Sequence, residues 1–409
     1  MPQTSTLKIF IFILLCSCSR IAHAATDSGN IAASNAEYIN QHFADQLTDP
    51  EAKKRRNFSQ FGYGLSFFTV PLFPITDILD PDDLGQHSYG KPDIKENNGA
   101  LYTCRGGFLD ISHMRASADW TVYVTFRIIT EGKGFDLPYE GGDLHLSFKN
   151  LNTLSLDDIA SMSQRIAFER LEWHEIASWH YHQPNYTFDE RQSAFTPEDT
   201  YSNFIGSMIG RNITLRILTK REEFSYSQIA TEEIAKVIKM LEPVKSKKET
   251  RDAFDIVDRN KQLSLPEAER NKDVWWDSKI IFRDERYVFK RYINIGPAMS
   301  PWLVPNQEKV GCLVNTKPQT YTVPYHTKTG ANLNNYYTFY IRPDSLLFFS
   351  KREHKLLHPV FAPFTSREMP RIRDFVAREM QKELTPGFSR RDKKDPEKHY
   401  KKLKKVIFK

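Results

Sequence analysis

Apolar residues recur every three to four positions through the front of this chain and every second position in parts of its back half, which predicts helices followed by strands. The first predicted helix runs through LDISHMRASADWTVYVTFRIIT (109–130), with Ile111, Met114, Ala118, Val122 and Thr125 on one stripe. GKGFDLPYEGGDLHLSF (132–148) carries glycines and an alternating segment, so a turn and a short strand are expected there. A long helix starts near Leu156-Asp157-Asp158 and runs to His182, stopping before Pro184. Another starts at Pro197-Glu198-Asp199, with Thr196 as N-cap, proline in the first position and acids in the first turn. A further helix covers TEEIAKVIKML (231–241), with Ile234, Val237, Ile238 and Leu241 in register.

The flanks read differently. SNAEYINQHFADQLTDPEAKKRR (34–56) is helix-like, and residues 61–100 are irregular and rich in Pro, Gly and Asp. Residues 244–274 are charged and read as a linker. KIIFRDERYVFKRYINI (279–295) has two runs around a charged turn, and QTYTVPYHTKTGANLNNYYTFYIRP (319–343) has two around a Thr-Gly-Ala-Asn turn. A last helix is expected in REMPRIRDFVAREMQKEL (367–384). The expected class is α+β. A helical module at 101–243 follows an irregular segment at 25–100. A charged linker at 244–274, a β-rich part at 275–384 and a basic tail at 385–409 complete the chain. No internal repeat is present.

The first residues change this picture. Lys8 precedes the apolar run IFIFILLCSC (9–18), too short to span a bilayer, and together they read as an export signal. Two processing sites compete. Ala22-His23-Ala24 predicts cleavage after Ala24, so that residues 1–24 form the signal. Leu15-Cys16-Ser17-Cys18 resembles a lipobox that would leave Cys18 as a lipidated N-terminus. No later stretch is long and apolar enough for a transmembrane helix. Export places Cys104 and Cys312 in an oxidising compartment, where a lone pair is expected to form a disulfide. The net charge of +6 comes from the end of the chain: RRDKKDPEKHYKKLKKVIFK holds ten basic and three acidic residues, so the rest of the exported chain is slightly acidic. No specific nucleic-acid binding by the fold is expected. The charge distribution suggests that the tail either touches anionic lipid or polymer or is simply solvated. With 40% apolar and 26% charged residues, the composition is otherwise that of a globular protein.

RLEWHEIASWH (170–180) raises the question of a metal helix. A zincin needs H-E-x-x-H, and position 178 is Ser. His174 therefore needs partners from elsewhere, and His180 lies too far round the helix to help. Asp110 and His113, three apart on the first helix, supply them. Asp110, His113, His174 and Glu175 make a two-histidine, two-carboxylate set that suits a divalent metal, zinc first. Glu175 is alternatively the general base on a bound water. Arg115 and Asp119, four apart, read as an ion pair, and Glu198 and Asp199 are explained in part by the dipole of their own helix. DRNKQLSLPEAE (258–269) lacks the glycine of a calcium loop, and neither G-x-S-x-G nor a phosphate-binding loop occurs.

YTCRGGFLDISHMRASADW, ERLEWHEIASW and FTPEDTYSN resemble the three blocks of a bacterial envelope family known as domain of unknown function 4056. The resemblance implies that Gly107, Asp110, His113, Arg115, Asp119, His174, Glu175, Trp179, Glu198, Asp199, Ser202 and Asn203 form one unit. It also implies a periplasmic or outer-membrane-associated protein of a Gram-negative envelope; it supplies no reaction. The expected function is a metal-dependent hydrolase of an envelope substrate. In that reading Asp110, His113 and His174 hold the metal, Glu175 is the base, and Arg115 or Asn203 steadies an oxyanion. The rivals are a non-catalytic envelope protein held by a buried polar network, and a metal-free glycosidase using Glu175 with Glu198 or Asp199.

Overall fold

The structure is a computed structural model. It describes residues 28–50, 69–70, 73–74, 78–91, 93, 95–139, 142–179, 197–221, 224–262, 298–313, 317–343 and 364–383. The export signal, the 279–295 runs, Thr196, His180, His182 and the basic tail lie outside these residues. Its helices are α1 (Ser28–His42), α2 (Ile111–Glu131), α3 (Leu156–Trp179), α4 (Pro197–Lys220), α5 (Tyr226–Met240), α6 (Lys247–Gln262) and α7 (Met369–Glu383). The strands are β1 (Thr69–Val70), β2 (Phe73–Pro74), β3 (Ala100–Thr103), β4 (Gly107–Asp110), β5 (Phe135–Tyr139) and β6 (Gly142–Phe148). They continue with β7 (Ala298–Met299), β8 (Tyr321–Thr322), β9 (Tyr337–Pro343) and β10 (Phe364–Thr365). The fold is α+β, as expected.

α2 is the central helix. Asp110 caps it by accepting from the backbone N–H of Ser112 and His113, and Gly132 closes its other end. The predicted stripe of Ile111, Met114, Ala118, Val122 and Thr125 is buried, and so are Ser112, Arg115, Ser117, Asp119 and Thr121 on the other faces. The threonine hydroxyls of α2 at these positions stay satisfied inside the helix: Thr121 donates to the Ser117 carbonyl and Thr125 to that of Thr121.

α4 packs closest to α2. A β-carbon on Gly206 would lie 2.0 Å from the Met114 carbonyl oxygen, and one on Gly210 would lie 2.5 Å from that of Ala118. Only glycine lets the two backbones approach this far. α3 and α5 pack on α4, and α1 packs on α2. α5 starts at Tyr226, earlier than its apolar stripe suggests, because Ser225 and Gln228 form a capping box ahead of it.

The back half is organised differently from expectation. β5 and β6 form a hairpin, and β9 pairs along β6 with Leu144 opposite Ile341 and Leu146 opposite Phe339. β10 completes a four-stranded antiparallel sheet in the order β10-β9-β6-β5. β8 and β9 therefore do not form the hairpin that their spacing suggested; β8 pairs with β7. One face of the large sheet (Phe135, Leu137, Leu144, Leu146, Phe339, Ile341) packs on α2, α3 and α7 through Trp120, Ile166, Trp173 and Ile372. The stretch read as a linker contains α6, whose Thr250 hydroxyl accepts from the Tyr102 backbone on β3. Cys104, in the β3–β4 turn, is bonded to Cys312 across 208 positions, with α-carbons 5.6 Å apart. The expected disulfide is present.

Candidate metal centre

The β3–β4 hairpin delivers the chain directly into α2, so Asp110 is at once the last strand residue and the helix cap. Its Oδ1 accepts from Ser112 N at 2.7 Å and His113 N at 3.0 Å, which fixes the carboxylate. Its backbone N–H donates to Ser202 Oγ at 2.8 Å and ties it to the start of α4. Oδ2 is left facing His113 Nδ1 at 3.0 Å, without the alignment of a hydrogen bond. Asp199, in the first turn of α4, brings Oδ1 to 3.5 Å from the same nitrogen.

These three residues each offer one ligand atom, and the atoms all lie within 4.8 Å of one another. Ligands bound at about 2.1 Å sit roughly 3.0–3.4 Å apart for right-angled to tetrahedral geometry, so the two distances suit a common ion. Among the described residues no other group of histidine, cysteine and carboxylate side chains meets this condition. The imidazole keeps 17% of its side-chain surface exposed while both carboxylates are buried, so the cluster opens outward through His113.

Burial opposes a charge on His113, but Asp199, Asp110 and Glu175 around it outweigh that cost and hold its pKa well above the usual histidine value. This also places Glu175 within electrostatic reach of the imidazole. Glu175 is buried near the end of α3, as are Glu198 and Asn203 on α4. The neighbouring His174 is only half-buried and is not part of the ligand group. Adjacent residues on a helix diverge by about 100°, so when Glu175 turns inward His174 turns to the rim. The expected ligand pair of Asp110 and His113 is together, and Asp199 stands where His174 was expected.

Arg115 and Asp119 lie elsewhere on α2 and do different work from that expected. Arg115 is fully buried, with Nη1 3.0 Å from Glu96 and Nη2 donating to the Leu84 carbonyl at 2.7 Å. Asp119 accepts from Tyr226 OH at 2.7 Å and Gly90 N at 2.8 Å, and meets His87 Nε2 at 2.8 Å. Both residues therefore fasten the irregular 84–96 segment onto α2, and Arg115, expected to steady an oxyanion, is engaged by Glu96 and the Leu84 carbonyl. His87 and Glu96 were not singled out in the sequence, because the segment has no periodicity to mark them.

A second charged network lies earlier on α3. Glu169 accepts from Arg165 at 3.0 Å and Tyr337 OH at 2.7 Å, and Glu172 accepts from Arg373 of α7 at 2.7 Å. Arg170 stacks over Trp120 at 3.7 Å. These contacts join α3 to β9, α7 and α2.

No curated protein and no solved structure matches the chain. The family model described as "Protein of unknown function (DUF4056)" matches residues 51–305, a span that contains Asp110, His113, Glu175, Asp199 and Asn203. The chain belongs to this family.

Proposed function

We propose that the protein is a divalent-metal-dependent hydrolase of the cell envelope, with Asp110, His113 and Asp199 as metal ligands and Glu175 as the proton acceptor. The observation that carries this reading is the meeting of three ligand atoms, all within 4.8 Å of one another, from the start of α2 and the first turn of α4. A bound divalent cation supplies Lewis-acid polarisation and a water acidified toward neutrality. Asp110 is held for ligation by its cap bonds, which occupy Oδ1 and leave Oδ2. Glu175, a buried carboxylate beside the cluster, takes the proton from the attacking water and returns it to the leaving group. The 17% exposure of His113 provides the approach for substrate.

The envelope assignment rests on the apolar run at 9–18 with its two processing sites, and the basic tail would hold the protein near anionic lipid or polymer. The substrate would then be an envelope glycan, peptide or lipid headgroup. The test is hydrolysis of these three classes by metal-loaded full chain. Activity should vanish on chelation and fall at least about 10²-fold in Glu175→Gln. Activity that survives both treatments would contradict the assignment.

One observation favours a second reading. An imidazolium among Asp110, Asp199 and Glu175 already offsets part of the carboxylate charge. Joined to the Ser202 and Ser117 bonds between α2 and α4, it would lock the helices without any ion. In that case the protein would be a binding or scaffolding component. It would purify metal-free, and His113→Ala would lose stability and nothing else.

A further inference from the structure

Asn203 lies on α4 one turn beyond Asp199, so the two share a helix face. Its backbone carbonyl accepts from Ser117 Oγ at 2.6 Å, and Ser117 lies one turn beyond His113 on α2. The residue therefore sits in the α2–α4 crevice next to the ligand group. It is 1% exposed, and among the described residues neither its Oδ1 nor its Nδ2 has a hydrogen-bond partner. Leaving both ends of an amide buried and unpaired is costly, and native structures rarely do so without ordered water, a ligand or an ion to complete them. Crowding is not the reason, because the nearby Ser117 and Ser202 hydroxyls both find partners.

We propose that Asn203 supplies Oδ1 as a fourth protein ligand, which makes this a site for a hard, oxygen-preferring divalent ion of the manganese class. The inference rests on the metal reading above. The set then has three oxygens to one nitrogen, since Asp199 replaces His174 in the group. Carboxylate and carbonyl oxygens suit six-coordinate manganese or magnesium, whereas zinc sites are built mainly on imidazole and thiolate. Nδ2 stays free to donate to a molecule sharing the ion's remaining positions.

Manganese(II) would be titrated into metal-stripped full chain, with free ion read by electron paramagnetic resonance. Wild type should bind and Asp199→Ala should not. Asn203→Leu should bind at least about tenfold more weakly. Asn203→Asp keeps an oxygen in place and should bind as tightly as wild type or tighter. A folded Asn203→Leu within about twofold of wild type overturns the Asn203 assignment and leaves the metal reading standing. If Asn203→Leu does not fold, Asn203→Asp decides, and tenfold weaker binding by it overturns the assignment. A wild type that takes zinc but not manganese also overturns this inference alone. A wild type that takes neither overturns the metal reading with it.

Discussion

Asp110 has two duties that one substitution can separate. As N-cap it satisfies two backbone donors of α2, and as ligand it offers Oδ2. Asp110→Ala loses both, with about 1 kcal/mol of stability from the cap alone. Asn caps as well as Asp, so Asp110→Asn should keep that stability while losing the charged ligand. Denaturant unfolding and metal content, measured on both variants, should therefore diverge: a small stability loss in Asn, a larger one in Ala, and impaired metal binding in each. Equal metal binding by wild type and Asp110→Asn would remove Asp110 from the site. Tyr102 gives a pH test. Burial pushes its hydroxyl pKa up to about 12, although Val304 N–H donates to it. The unfolded chain ionises near pH 10, so the folded state is fully favoured below pH 10. It then loses up to roughly 2–3 kcal/mol as pH rises toward 12. Tyr102→Phe should lack this part of the alkaline slope, as read from denaturant midpoints between pH 9 and 12. An unchanged slope would show that another group sets it.

The helices and their junctions carry the positions of these side chains. Gly206→Ala places a methyl 2.0 Å from a backbone oxygen of α2, so the helices must separate. It should cost roughly 1–3 kcal/mol or more, and it should weaken metal binding because Asp199 rides on the same helix. Calorimetry beside metal titration reads both effects. Arg373→Leu strips the guanidinium from Glu172 and should cost about 3–5 kcal/mol, as expected when one partner of a buried ion pair is removed. The start of α4 was legible because proline and two acids mark it. The α2 stripe was legible because its period is helical. The α5 start was missed because Ser225 and Gln228 act through hydrogen bonds that periodicity ignores. His113 and Asp110 were readable as a pair three apart. The choice between His174 and Asp199 was not, since it depends on how α3 is rotated against α4. The 84–96 clamp was invisible for the same reason: Arg115 and Asp119 reach partners that only the packed chain brings near.

In the whole molecule, a shared sheet and a disulfide are among the ties between the two ends of the fold. β9 lies beside β6 in one sheet, so the back half completes the front half's hairpin. Its register could not be read from the sequence, because β9 alternates equally well for a partner near or far along the chain. The Cys104–Cys312 bond closes a loop of 208 positions at the turn leading into β4 and Asp110. Reduction should lower stability by about 2–5 kcal/mol, seen as a drop in melting temperature that Cys104→Ser reproduces without reductant. A melting temperature indifferent to reductant would deny the bond a structural role. The metal assignment itself comes down to the metal content of full chain purified without chelator or affinity histidines, beside His113→Ala. About one divalent ion per chain in the wild type, lost in a variant that stays folded by circular dichroism, is the expected result. A metal-free wild type, with His113→Ala merely less stable, would contradict it and leave Asp110, His113 and Asp199 as an ion cluster that holds two helices together.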